Sequence, residues 1–133
     1  MAVYGIGAMY GRTDDKSEEF VKREVAAIGY HRERAPGLHA QLAQIKAGDL
    51  MFIKSYAPQV GLYIKAVGIV TAPGIRRDND LRWCIGVRWT WSGELKLGEI
   101  GDACDHVRRG TLYEEFNPEV IRRVIDLLLG AEA

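Results

Sequence analysis

The chain has 133 residues, 47% of them hydrophobic, and its 18 Lys and Arg are balanced by 18 Asp and Glu. That length suits one domain with a core of its own, and zero formal charge argues against a protein that holds nucleic acid chiefly by neutralising phosphates. Cys84 and Cys104 are the two cysteines, with no CxxC spacing, which argues against a disulfide framework or a zinc knuckle.

No apolar run approaches the roughly 18 residues of a membrane span, and the start "MAVYGIGAMYG" lacks the basic flank of a signal peptide. A cytoplasmic protein without membrane association is expected. The charge balance also hides an asymmetry. Residues 46–96 carry eight Lys or Arg against four Asp or Glu, whereas 97–133 carry four against eight. An anionic partner is therefore expected to meet the middle of the chain.

In chain order, "AVYGIGAMY" reads as a buried first strand whose Gly5 and Gly7 point to close backbone approach. "TDDKSEEFVKREVAAIGY" reads as a helix capped by Thr13, Asp14 or Ser17, with Phe20, Val21, Glu24, Val25 and Ile28 on a mostly apolar face and Gly29 as its stop. A polar loop with Pro36 and Gly37 follows, then a short helix whose Leu38, Leu42 and Ile45 share a face before Gly48.

"DLMFIKSY" and "VGLYIKAVGIVT" read as two strands of a hairpin or meander joined at Ala57, Pro58 and Gln59. Leu50 and Phe52 fall on one face of the first and Met51 and Ile53 on the other, so it is expected to be buried on both sides and to emerge at Lys54-Ser55-Tyr56. "APGIRRDND" reads as a polar loop, and "LRWCIGVRWTW" as a regular strand that turns at Ser92 and Gly93 into "ELKLGEI". The C-terminal stretch "TLYEEFNPEVIRRVIDLLLG" ends in a helix with Pro118 near its start and Gly130 past its end. This helix is apolar beyond a narrow stripe, so it either closes the barrel or forms a homodimer with a copy of itself. Because helices do not alternate with strands, the expected fold class is α+β, a small, mostly antiparallel β-barrel flanked by helices.

The segment "AAIGYHRERAPGLHAQLAQIKAGDLMFIKSY", followed by "GLYIKAVGIV", resembles the PUA-like superfamily, in particular its EVE and YTH branches and the related N-terminal domains of methylation-dependent restriction systems. The shared elements are Ile28-Gly29-Tyr30, the turn from Lys46 to Asp49, and the return strand from Gly61 through Val70. The likeness covers roughly residues 20 to 72. It implies a β-barrel that sequesters a modified base or similar flat ligand, from a nucleic acid or a free nucleotide, in an aromatic-lined pocket. Carried onto this chain, the pocket implies Tyr30, His31, Lys54, Ser55 and Tyr56 as ligand-binding residues. Trp89 and Trp91 join them by residue type alone.

The residues support the same chemistry independently. A base taken from its stack needs aromatic faces and hydrogen bonds to its polar edge, which Tyr30, Tyr56, a tryptophan and Ser55 can supply. The plainer reading stands beside it: Trp83, Ile85, Val87, Trp89 and Trp91 share one strand face, and a large apolar face is most simply core. Arg76, Arg77, Arg82 and Arg88 are candidates for phosphate contacts, against the plainer reading of solvated surface charge. Asp49 reads as a turn stabiliser. In "GDACDHVRRG", Asp102, Cys104, Asp105 and His106 stand together, but neither a metal-ligand spacing nor a nucleophile elbow is present. The expectation is a non-catalytic binding module with no metal and no cofactor; the alternative is an ASCH-like ribonuclease or nucleoside hydrolase.

Overall fold

The computed structural model describes residues 1–130. The protein is α+β, with a six-stranded, mostly antiparallel sheet, a separate two-stranded ribbon and three helices. The elements are β1 (Val3–Gly7), β2 (Met9–Tyr10), β3 (Asp14–Asp15), α1 (Ser17–Arg23), β4 (Val25–Ile28), α2 (Pro36–Gln44), β5 (Leu50–Ala57), β6 (Gly61–Asp78), β7 (Arg82–Gly98), β8 (Leu112–Glu114) and α3 (Pro118–Leu128). Strand order is β4-β7-β6-β5-β1-β8, with β2 and β3 forming the ribbon. The pair β1–β5 is parallel, and the other pairs are antiparallel.

Alternation along β5 explains why the sheet has a core on each face. Met51 and Ile53 pack with Ile6, Phe20, Ile28, Leu42 and Ile85 on the side covered by α1 and α2. Leu50 and Phe52 pack with Leu62, Ile64, Val67 and Tyr113 on the other, where Val120, Val124 and Leu127 of α3 close the face. A central strand buried on both sides needs an unbroken apolar run, and "LMFI" supplies it. Burial continues one residue further than expected: Lys54 is also buried, and the strand emerges at Ser55. The helix α3 starts where Asn117 Oδ1 accepts from the Glu119 and Val120 amides, with Pro118 in its first turn. No helix among the described residues is long and apolar enough to cross a membrane.

Four expectations are corrected. The first helix ends at Arg23, not Gly29, because Glu24 adopts a left-handed conformation (φ 56°) and Val25–Ile28 pairs with Trp83–Gly86 of β7. Backbone pairing within a fully buried strand outweighs the helix propensity of two alanines. None of the expected caps acts: the N-cap position is Lys16, without a side-chain capping bond, and Asp15 just before it accepts from the Ser17 amide and hydroxyl. The stretch "APGIRRD" is part of β6; Pro73 and Gly74 sit in an irregularity where β6 advances from Ala72 to Arg76 while β7 moves only from Gly86 to Cys84. No turn occurs at Ser92–Gly93, because β7 runs unbroken to Gly98.

The fourth correction concerns the tryptophans. Trp89 opposes Gly68 and Trp91 opposes Val67, so Thr90 is an extra residue between them. This bulge sends Trp89 to the first core and Trp91 to the second. The five residues from Trp83 to Trp91 therefore do not share one face.

Candidate functional site

A cleft of about 1100 Å³ opens where β1, the β2–β3 ribbon, α1, the segment after β4 and the β6–β7 turn meet. Gly7 ends β1 at one side of it, its amide donating to Thr111 O at 2.8 Å. Tyr10 closes the back: its hydroxyl donates to Leu81 O (2.5 Å) and its ring meets Phe20 edge-on. The Tyr10 ring lies directly over Gly29, where a Cβ would stand 3.0 Å from Tyr10 Cε2. Gly29 thus allows the close approach of this ring and does not stop a helix.

That contact leads the chain out of β4 into Tyr30, a residue 53% exposed at the cleft. Its backbone is held firmly. The Tyr30 carbonyl is 2.7 Å from Nε2 of buried His39, so that nitrogen carries the proton and donates, and the preceding Gly29 carbonyl accepts from Arg82 Nη1 at 3.0 Å. His31 follows, its ring edge-on to Trp83 with centroids 5.2 Å apart, and its Nδ1 accepts from the Glu33 amide. His39 and the Arg77 guanidinium also pack on Trp83. The half-buried Trp83 is therefore the post on which His31 and His39 pack, at the edge of the core and not at its centre.

Charges in the cleft are mostly spoken for. Arg23 uses Nε on Glu19, Nη1 on Asp78 and Nη2 on Asp80, at 2.7–3.1 Å, and Lys16 lies 3.3 Å from Asp14. Arg34 and Arg82 also border the cleft. Arg34 has no carboxylate partner among the described residues. The β6–β7 turn that carries Arg82 is tightened by Asp78 Oδ1, which accepts from the Asp80 and Leu81 amides.

Of the residues expected to bind ligand, Tyr30 and His31 line the cleft, and of the four arginines expected to contact phosphate, Arg82 does. Lys54 lies beside it in the register, opposite Gly7, with its Nζ 3.7 Å from where a Gly7 Cβ would stand. The others lie elsewhere. Ser55 is exposed on β5, and Tyr56 and Trp91 pack on the α3 side. Trp89 donates through Nε1 to Val25 O at 2.9 Å, and Arg76 and Arg88 are exposed along the β6–β7 hairpin. Tyr10 and Arg34 belong to the cleft but carry no sequence signal beyond a glycine-rich strand end and the basic loop "HRERAPG".

A buried polar group adjoins the cleft floor. Lys54 Nζ donates to Arg108 O at 2.7 Å, and burial pushes the ammonium down to about 8. Tyr113 lies nearby, and its buried hydroxyl has no hydrogen-bond partner among the described residues. Its ring fits because residue 5 is glycine: a Cβ there would be 2.6 Å from Tyr113 Cζ. Replacing Tyr113 by Phe is expected to raise stability by about 1 kcal/mol in urea denaturation, since an unpaired buried hydroxyl costs roughly that or more; a loss of stability would mean that the hydroxyl is paired in solution.

The "GDACDHVRRG" loop wraps the fully buried Arg108, whose guanidinium holds Asp102, Asp105 and Glu115. Cys104 and His106 point outward. Asp49, as expected, is a turn residue, accepting from the Ala2 and Lys46 amides.

No protein-family model matches the chain, and no curated protein matches it. The fold is similar to the NMR structure of Rpa0253 from Rhodopseudomonas palustris, a structural-genomics target, with a TM-score of 0.57 at 12% identity over 100% of this chain and 97% of that one. At that identity the likeness is one of fold.

Proposed function

We propose that the protein is a non-catalytic binding module of the PUA-like barrel kind, seating a flat ligand, a modified base or nucleotide, against Tyr30 in the cleft. The observation that carries this reading is an exposed aromatic face on a backbone pinned by His39 and Arg82. A ring held in place before the ligand arrives loses little entropy on binding, and stacking on it tolerates any heterocycle. Of the three cleft carboxylates, Glu19 and Asp80 are tied to Arg23 and Asp14 lies 3.3 Å from Lys16, so none stands free as a general base, which counts against the hydrolase alternative. Both cysteines are free thiols, which suits the cytoplasm.

The test is a panel of modified and unmodified nucleobases, nucleosides and nucleotides titrated by calorimetry. Tyr30→Ala is expected to cost about 1–3 kcal/mol of binding, the usual worth of a base on an aromatic face, while the melting temperature stays put. If no member of the panel binds the wild-type protein, the reading fails.

A further inference from the structure

We infer that the cleft takes a single nucleoside monophosphate, its ring on Tyr30 and its one phosphate between Arg34 and Arg82, and does not track a polynucleotide. This rests on the ring-binding reading above and adds the class of ligand.

The inference comes from which charges remain free. Four cations and three carboxylates border the cleft. Lys16 and Arg23 are neutralised by their own carboxylates, and each nitrogen of the Arg23 fork is engaged by one of them. Arg34 has no carboxylate partner among the described residues, and the hydrogen bond of Arg82 goes to the neutral carbonyl of Gly29. Two guanidinium groups without a carboxylate match one phosphate monoester, which carries about −1.5 to −2 charge at neutral pH. A longer strand would bring further phosphates, and the other two cleft cations, Lys16 and Arg23, are already paired with carboxylates. Phosphates left without a counter-charge discriminate against that ligand.

Arg82 carries an independent mark. Its φ of 79° is left-handed, a conformation that glycine adopts without penalty and arginine does not. Strain of this kind persists where the surrounding structure enforces it, and it gathers at binding sites. Here the turn presents the guanidinium at the cleft, which a glycine would not do.

Binding of the four common ribonucleoside 5′-monophosphates, their nucleosides and single-stranded decamers, measured by calorimetry at low and moderate salt, tests the assignment. At least one monophosphate is expected to bind about tenfold or more tightly than its nucleoside and than any decamer. Arg34→Ala should remove that advantage and leave nucleoside binding unchanged; Arg82→Gly should remove it as well, while also weakening nucleoside binding because the bond to the Gly29 carbonyl is lost, and should melt no earlier than wild type. A monophosphate no tighter than its nucleoside, or an advantage that survives both variants, overturns the phosphate assignment but leaves ring binding standing. So does a decamer that binds tightest with a salt slope of several phosphates. Failure of every probe to bind removes this inference together with the reading beneath it.

Discussion

Replacing Arg108 by alanine is expected to destabilise the protein by about 3–5 kcal/mol, the usual cost of leaving a buried charge without its partner. Its guanidinium is wholly buried and donates through Nε and Nη2 to Glu115 (3.0 and 2.7 Å), through Nη1 and Nη2 to Asp102 (2.6 and 2.9 Å), and through Nη1 to Asp105 (2.7 Å). Glu115 is only 3% exposed, so without Arg108 its carboxylate stays in a medium that cannot solvate it. The same residue joins the loop after β7 to β8, to the cap of α3 through the Asn117–Asp102 bond, and to Lys54 through its carbonyl. A double variant, Arg108→Met with Glu115→Leu, is expected to recover much of the loss, because an apolar pair of similar volume needs no counter-charge.

The pH dependence has a definite sign. Hydrogen bonds from Arg108 hold the Asp102 carboxyl well below its usual range. A carboxylate depressed on folding contributes stability above its unfolded value, near 4, and that stability drains away as the pH falls through the folded value. Urea denaturation of the wild type from pH 7 to 3 should show the onset of this loss, and Arg108→Ala should lack that part of it. An Arg108→Ala protein within about 1 kcal/mol of wild type at pH 7 would show that the knot is not a support of the fold.

Gly61→Ala is the second large effect, expected at about 2–5 kcal/mol. Gly61 opens β6 with φ 96°, and a Cβ there would lie 2.0 Å from the Gly98 carbonyl carbon and 2.4 Å from the Glu99 amide nitrogen. A side chain can rotate away from an intruding methyl, but backbone cannot, so the ends of β6 and β7 would have to part. Left-handed strain adds roughly 1–2 kcal/mol. Gly74→Ala is the control. Its φ is 94° but nothing lies within 4 Å of the added methyl, so it should cost only the conformational share. Equal losses in the two variants, measured by denaturant midpoint, would show that the crowding at Gly61 is relieved by a small shift.

Several features were legible because they depend on local pattern. "LMFI" carries enough apolar residues for two faces, and Pro118 and Gly130 bracket α3 within a residue or two. Tyr30 and His31 stood out through the Ile28-Gly29-Tyr30 segment, and both border the cleft. The strand β4 was not legible: "VAAI" prolongs a helical pattern, and only its pairing with β7 makes it a strand. The bulge at Thr90 was equally hidden, since a period-two count assumes one residue for each partner.

What the sequence determined by itself was the α+β class, the two-sided burial of β5 and the position of the terminal helix, all of which follow from apolar spacing, proline and glycine. The tertiary structure decided which charges are free. Arg23, Arg34, Arg82 and Arg108 are the same residue type in the sequence, yet Arg23 is saturated by three carboxylates, Arg108 is buried in a knot, and Arg34 and Arg82 face an open cleft. An arginine's role is set by the carboxylates within about 4 Å of it, and Asp78 and Asp80 reach Arg23 from more than fifty residues away in the chain. No local pattern records a separation of that kind.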